Sequence, residues 1–153
     1  DSIIGAKHQG AITSMVERKT KLTRLVLLKG PTSDATTEAI IKRLEPLKTL
    51  VLTLTSDNGK EFAGHQKISQ ALDSEFYFCT PYHSWERGLN ENTNGLVRQY
   101  FPKGLDFATI NNDNVQYVED LLNNRPRKTL NYKTPNEVFA MLTANNLNYA
   151  LRC

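Results

Sequence analysis

Two acidic side chains, Asp57 and Glu91, stand where this sequence could place chemistry. Asp57 follows Leu50-Val51-Leu52-Thr53-Leu54, a short, almost unbroken apolar run that reads as a buried strand of an α/β sheet. Open α/β sheets bind ligands outside the carboxyl ends of their strands, and Asp57 falls at such an end. Glu91 comes after thirty-three intervening residues, 58 through 90, at the start of a helical pattern. Asp1, the one acid on a first strand, completes a candidate trio. Carboxylate oxygens are hard ligands that select Mg²⁺ or Mn²⁺ over zinc. Two such ions about 3.5–4 Å apart would clamp an in-line phosphoryl displacement, one activating the attacking oxygen and the other stabilising the leaving one. Each acid also has a plain reading. Asp57-Asn58-Gly59 is a common turn sequence, Glu91 suits a helix N-terminus, and Asp1 alone says little. The spacing by itself leaves a metal-dependent phosphotransferase as one reading among others.

The elements that must carry these residues follow from periodicity. Asp1 to Gly5 reads as the end of a strand, Ala11 to Arg18 as a second and Leu22 to Leu28 as a third, an antiparallel meander with a polar turn at Glu17–Lys21. Lys19, Lys21 and Arg24 read as an exposed hairpin. Lys29-Gly30-Pro31-Thr32 breaks the meander. A helix is expected from about Ser33 to Leu44, with Ala35, Ala39, Ile40 and Leu44 on one face. The strand at Leu50–Thr55 is then reached by a helical crossover, which makes it parallel to its neighbour. A short helix near His65–Leu72 and a strand at Phe76–Cys79 complete a second crossover. Gly88 to Tyr100 reads as one helix, stopped before Pro102. Asp113 with Gln116 has the pattern of a capping box, and Thr134-Pro135-Asn136-Glu137 has a fuller one, with proline at the first helical position. The sum is an α/β fold with a mixed five-stranded sheet, three strands antiparallel and two parallel, flanked by helices. Residues 1–153 read as a single domain.

Composition sets the outer bounds. Of 153 residues, 39% are hydrophobic and 23% charged, an ordinary globular balance. Nineteen basic against 16 acidic side chains give a net +3, compatible with a nucleic-acid partner without requiring one. No apolar run approaches the roughly 20 residues of a membrane span. Cys79 and Cys153 have no metal-type spacing; Cys79 reads as a buried small hydrophobe, and a reducing, cytoplasmic setting fits. His8, His65 and His83 are too scattered to form a ligand set. The chain opens abruptly on Asp1, so it is expected to be a fragment of something longer.

Three longer motifs sharpen the reading. Ser56-Asp57-Asn58-Gly59-Lys60-Glu61-Phe62 is the first, and the second runs from Thr80-Pro81-Tyr82-His83-Ser84-Trp85-Glu86-Arg87 through Gly88-Leu89-Asn90-Glu91-Asn92 into Asn94-Gly95-Leu96-Val97-Arg98-Gln99-Tyr100-Phe101-Pro102. The third is Asn123-Asn124-Arg125-Pro126-Arg127-Lys128-Thr129-Leu130 with Tyr132, Thr134-Pro135 and Glu137. Together they resemble the catalytic core of DDE transposases and retroviral-type integrases, and in particular insertion-sequence transposases of the IS-thirty family. The resemblance covers essentially the whole chain. It implies a ribonuclease H-like fold, with Asp1, Asp57 and Glu91 as catalytic, metal-binding carboxylates holding Mg²⁺ or Mn²⁺ in a two-metal site. It also implies the reaction: water frees a 3′-hydroxyl at an element's end, and that hydroxyl attacks target DNA. Glu86 is a rival acid, but its distance from Asp57 is too short for the family spacing.

Partners follow from the same reading. Asn94 and Arg98 share a helix face with Glu91 and are candidate DNA contacts, as are Arg125, Arg127 and Lys128 in the basic turn. Solvated surface roles remain the alternative for each, and Trp85 either stacks on a base or packs. The partners implied are DNA, at element ends and target, and a second copy of the chain, since two ends must be processed together. The family's N-terminal DNA-recognition region has no counterpart here. A ribonuclease H-like nuclease without strand transfer, and a non-catalytic DNA-binding or dimerisation module with the same fold, are the competing readings.

Overall fold

In the computed structural model, residues 1–6, 9–80 and 88–144 are described in full, and residues 151 and 152 by their backbone. His8, the stretch from Pro81 to Arg87 with His83, Trp85 and Glu86, and Cys153 therefore lie outside the described residues.

Three antiparallel strands come first: β1 (Ser2–Ile4), β2 (Ala11–Val16) and β3 (Thr23–Leu28), in the order β1-β2-β3. Asp1 extends the first ladder by one backbone pair, its N–H donating to the Ser14 carbonyl at 3.0 Å and its carbonyl accepting from the Ser14 N–H at 2.8 Å. The helix α1 (Ser33–Leu44) starts with the Thr32 hydroxyl accepting from the Ala35 N–H and crosses to β4 (Val51–Ser56). Then come α2 (His65–Leu72) and β5 (Glu75–Phe78). β4 pairs parallel with β5 on one side, and on the other with β6 (Leu151–Arg152), a short strand that the periodicity does not announce. The five expected strands, β1 to β5, are thus three antiparallel and two parallel, and with β6 the six strands form two three-stranded hydrogen-bonded sheets.

The period-two pattern of the meander sends its side chains to two cores. Ile3, Ile12 and Leu25 face α3 (Gly88–Tyr100) and α4 (Asn112–Asn123), packing on Val97, Val115 and Leu122. Met15 and Val26 face the other way, onto Ile40 and Leu44 of α1, in the cluster that also contains Leu54, Ile68 and Leu72. α2 lies close to α1, and Gly64 explains how: a Cβ there would stand 2.1 Å from the Thr37 hydroxyl. The last helix, α5 (Pro135–Ala144), begins as its sequence predicts, with the Thr134 N–H donating to Glu137 and the Glu137 N–H to the Thr134 hydroxyl.

Two expectations are corrected. α4 is capped by Asn111 with Asn114, each side chain accepting from the other's N–H, not by Asp113 with Gln116 two residues later. Arg24 is no exposed hairpin residue: its guanidinium donates to Glu119, a fully buried carboxylate that also binds Arg43 and the Leu25 N–H.

Candidate functional site

Each candidate carboxylate is carried by a different element. Asp1 leads into β1, Asp57 directly follows β4, and Glu91 lies in the first turn of α3. Asp1, Ser56 and Asn90 line one small cavity of ≈ 20 Å³ between the two sheets, floored by Val16, Leu54 and Phe76. Ser56 and Asn90 immediately precede Asp57 and Glu91, so the three acids come from segments that converge on one point.

Asp1 is tied to the helix of Glu91 directly. The Asn94 side chain, one turn beyond Glu91, donates through Nδ2 to Asp1 Oδ2 at 2.8 Å. Its Oδ1 accepts from the Ser14 hydroxyl at 2.7 Å. Ser14 is fully buried, on the β2 face that also carries Ile12. A carboxylate can only accept, so Nδ2 must face Asp1, and the serine hydroxyl then satisfies the other half of the amide. Asp57 is held from its own turn: its Oδ1 accepts from the Gly59 N–H at 3.2 Å. Asn58 closes that turn against the neighbouring strand, donating to the Cys79 carbonyl at 3.0 Å, while the Cys79 N–H donates to the Ser56 carbonyl at 2.8 Å. Cys79 is buried, as its apolar surroundings predict. Asp1 and Asp57 are half-buried and Glu91 is exposed.

The donor set is all oxygen, which suits a hard divalent cation. Among the described residues, no three acidic, histidine or cysteine side chains stand close enough to hold an ion as placed. The elements converge; the carboxylates themselves are not gathered.

The candidate DNA contacts divide. Arg98 turns its guanidinium back into the protein, donating to the Ile4 carbonyl at 2.8 Å and lying 6.0 Å from the centroid of the Phe107 ring. Burial lowers its pKa from the ordinary arginine value. It clamps α3 to the end of β1. Asn94 is likewise spent on Asp1 and Ser14. Arg127 donates to the Leu122 carbonyl at the end of α4, a position that favours a cation. Its pKa is lowered, first by burial and then by the charge of Arg125. Arg125 and Lys128 are exposed. Sequence reasoning missed Ser14, although a polar residue on the buried face of an apolar strand is a signal in itself.

The chain is similar to insertion-sequence transposases over nearly its whole length. It is 49% identical over 146 residues to the transposase for insertion sequence element IS4351 of Bacteroides fragilis, covering 95% of this chain and 45% of that protein. It is 41% identical over 139 residues to the transposase InsI for IS30A of Escherichia coli, covering 90% and 36%. The chain thus spans less than half the length of these relatives. Among solved structures, the catalytic core domain of BIV integrase matches with a TM-score of 0.68 at 19% identity, covering 95% of this chain and 93% of that one. A chain of the simian T-cell lymphotropic virus intasome, solved with PP2A regulatory subunit B56 gamma, matches with a TM-score of 0.69 at 20% identity, covering 90% and 51%. The fold is that of the integrase cores, ribonuclease H-like, as the motifs imply. No protein-family model matches the chain.

Proposed function

We propose that this chain is the catalytic core of an insertion-sequence DNA transposase, a polynucleotidyl transferase that cuts phosphodiesters at element ends and joins them to target DNA. The observation that carries the proposal is the convergence of Asp1, the end of β4 and the first turn of α3 on one point, with Asn94 joining the first to the third. The near full-length similarity to transposases supports it from a separate direction.

In this reading Asp1, Asp57 and Glu91 hold Mg²⁺ or Mn²⁺, which, when bound, activates the attacking oxygen and stabilises the leaving one. The chain's own residues set the geometry. Asn94 fixes Oδ2 of Asp1. The Gly59 N–H fixes Asp57 at the mouth of β4. Glu91, exposed in the first turn of α3, would supply the third carboxylate. Water attacks at the element's end and the freed 3′-hydroxyl attacks the target, so the protein needs no nucleophile of its own. DNA is the partner, and two copies acting on two ends make a dimer on DNA the expected assembly, working in the cytoplasm at the nucleoid. No described helix is long and apolar enough to cross a membrane.

The test is Mn²⁺ calorimetry on the chain beside Asp57→Asn and Glu91→Gln. Binding in the parent that disappears in both variants is the expected result. Retention of full affinity in either variant removes that residue from the site. Metal-independent DNA binding with no cation affinity at all would instead favour a non-catalytic DNA-binding module.

A further inference from the structure

The segment from Arg127 to Lys133 contains two consecutive left-handed residues, Asn131 at φ 53° and Tyr132 at φ 63°. Asparagine tolerates that conformation; a bulky aromatic there is an outlier. Such strain survives only where the surroundings over-determine the backbone, and here they do. The Arg127 N–H donates to the Lys133 carbonyl at 3.0 Å, and the Leu130 and Tyr132 N–H groups both donate to the Arg127 carbonyl at 2.9 Å. The fold gains no packing in return, because Tyr132 is 71% exposed. The flanking charge is basic. Arg125, Lys128 and Lys133 are all exposed, and among the described residues Arg125 and Lys128 form no ion pair. Lys133 rests its ammonium 3.3 Å from the Met141 sulfur and lies near enough to Glu137 to lower that acid's pKa, behind the larger effect of Thr134. Arg127 is turned inward and serves the loop, not the surface.

We propose that Tyr132 is a stacking platform for an unpaired DNA base, with Arg125 and Lys128 taking the phosphates beside it. The proposal rests on the reading of the chain as a core that acts on DNA, and adds a contact separate from the three carboxylates. An aromatic face accepts any base, so this contact carries affinity without sequence preference. Placing the ring on a strained, seven-residue loop (127 through 133) closed at both ends pre-organises its backbone, since little backbone freedom is left to lose on binding.

The test is anisotropy of a labelled oligothymidylate of about 15 nucleotides, with a chelator present, on the parent and three variants across a salt series. Tyr132→Asn is the decisive one, because asparagine accepts the left-handed backbone. It is expected to weaken binding about tenfold, with the salt slope unchanged, while the melting temperature rises by about 2–4 °C as strain is relieved. Tyr132→Phe is expected to bind as the parent does. Lys128→Ala is expected to reduce the salt slope by about one. If Tyr132→Asn binds as tightly as the parent, the platform is overturned and the DNA reading stands. If it loses both affinity and stability, the tyrosine is structural and the platform is equally overturned. A parent that binds no DNA removes both.

Discussion

Asn94 commits both halves of its amide inside the protein, to Asp1 and to Ser14. Removing such an outer partner of a metal-binding carboxylate typically costs about 10–100-fold in metal affinity. Asn94→Ala is therefore expected to weaken Mn²⁺ binding by at least about tenfold in calorimetry. Ser14→Ala leaves Nδ2 on Asp1 but removes the donor to a partly buried Oδ1, an expected loss of about 1 kcal/mol in urea unfolding with a smaller effect on the cation. An Asn94→Ala protein that binds Mn²⁺ like the parent would leave the amide only a structural role. Helix spacing alone puts Asn94 on the face of Glu91, and from there a DNA contact is the natural expectation. What the spacing hides is Ser14, eighty residues earlier in the chain (94 − 14). Arg98 was legible in the same partial way. Its helix face was right, but the Ile4 carbonyl that takes its guanidinium belongs to another element.

α4 and β3 show what an element does beyond burying an apolar stripe. β3 is the edge of its sheet, and alternate residues on an edge turn unpaired N–H and C=O groups outward. Glu119 and Asn123, one turn apart on α4, meet two of these positions. Glu119 accepts from the Leu25 N–H at 2.7 Å; Asn123 accepts from the Thr23 N–H and donates to its carbonyl, both at 2.8 Å. The Glu119 charge is fully buried and is balanced by Arg24 and Arg43, each about one-third exposed. Breaking a buried pair by deleting one partner costs about 3–5 kcal/mol. Glu119→Ala should lose that much in urea, because two guanidinium groups are left facing each other and the edge N–H loses its acceptor. A loss below about 1 kcal/mol would mean that the arginines relax to solvent and the cluster contributes little. None of this was legible from local pattern, since Glu119 and Arg24 are ninety-five residues apart (119 − 24). The helices His65–Leu72 and Gly88–Tyr100 were legible in place and extent, because turn and breaker residues bracket them. The start of α4 was not, because asparagine and aspartate at 111, 113 and 114 offer competing caps.

At the scale of the molecule, the notable feature is where the three carboxylates sit relative to the ladders. Asp1 belongs to the antiparallel sheet, Asp57 to the parallel one and Glu91 to a helix packed on the first. No backbone ladder is recorded between the two sheets among the described residues. They are joined through α1, whose Ile40 and Leu44 reach Met15 on one side and Leu54 on the other. A cation held by all three acids would therefore act as a cross-link between two sheets that share no backbone ladder among the described residues. Anything that binds the folded chain and not the unfolded one stabilises it, by about 2.7 kcal/mol at one hundred times its dissociation constant. For a chain of this size that is a rise of about 5–10 °C in melting temperature. Mn²⁺ should produce this shift in the parent, and Asp57→Asn should abolish it while leaving the metal-free melting temperature within about 2 °C, because asparagine keeps an Oδ1 that can accept from the Gly59 N–H. Hydrogen exchange gives the finer readout. The amides of Ser14, bonded to the Asp1 carbonyl, and Cys79, bonded to the Ser56 carbonyl at the end of β4, should slow together when the cation binds. Slowing confined to one sheet would show that the carboxylates do not bridge the seam, and would move the cation site to one side of it.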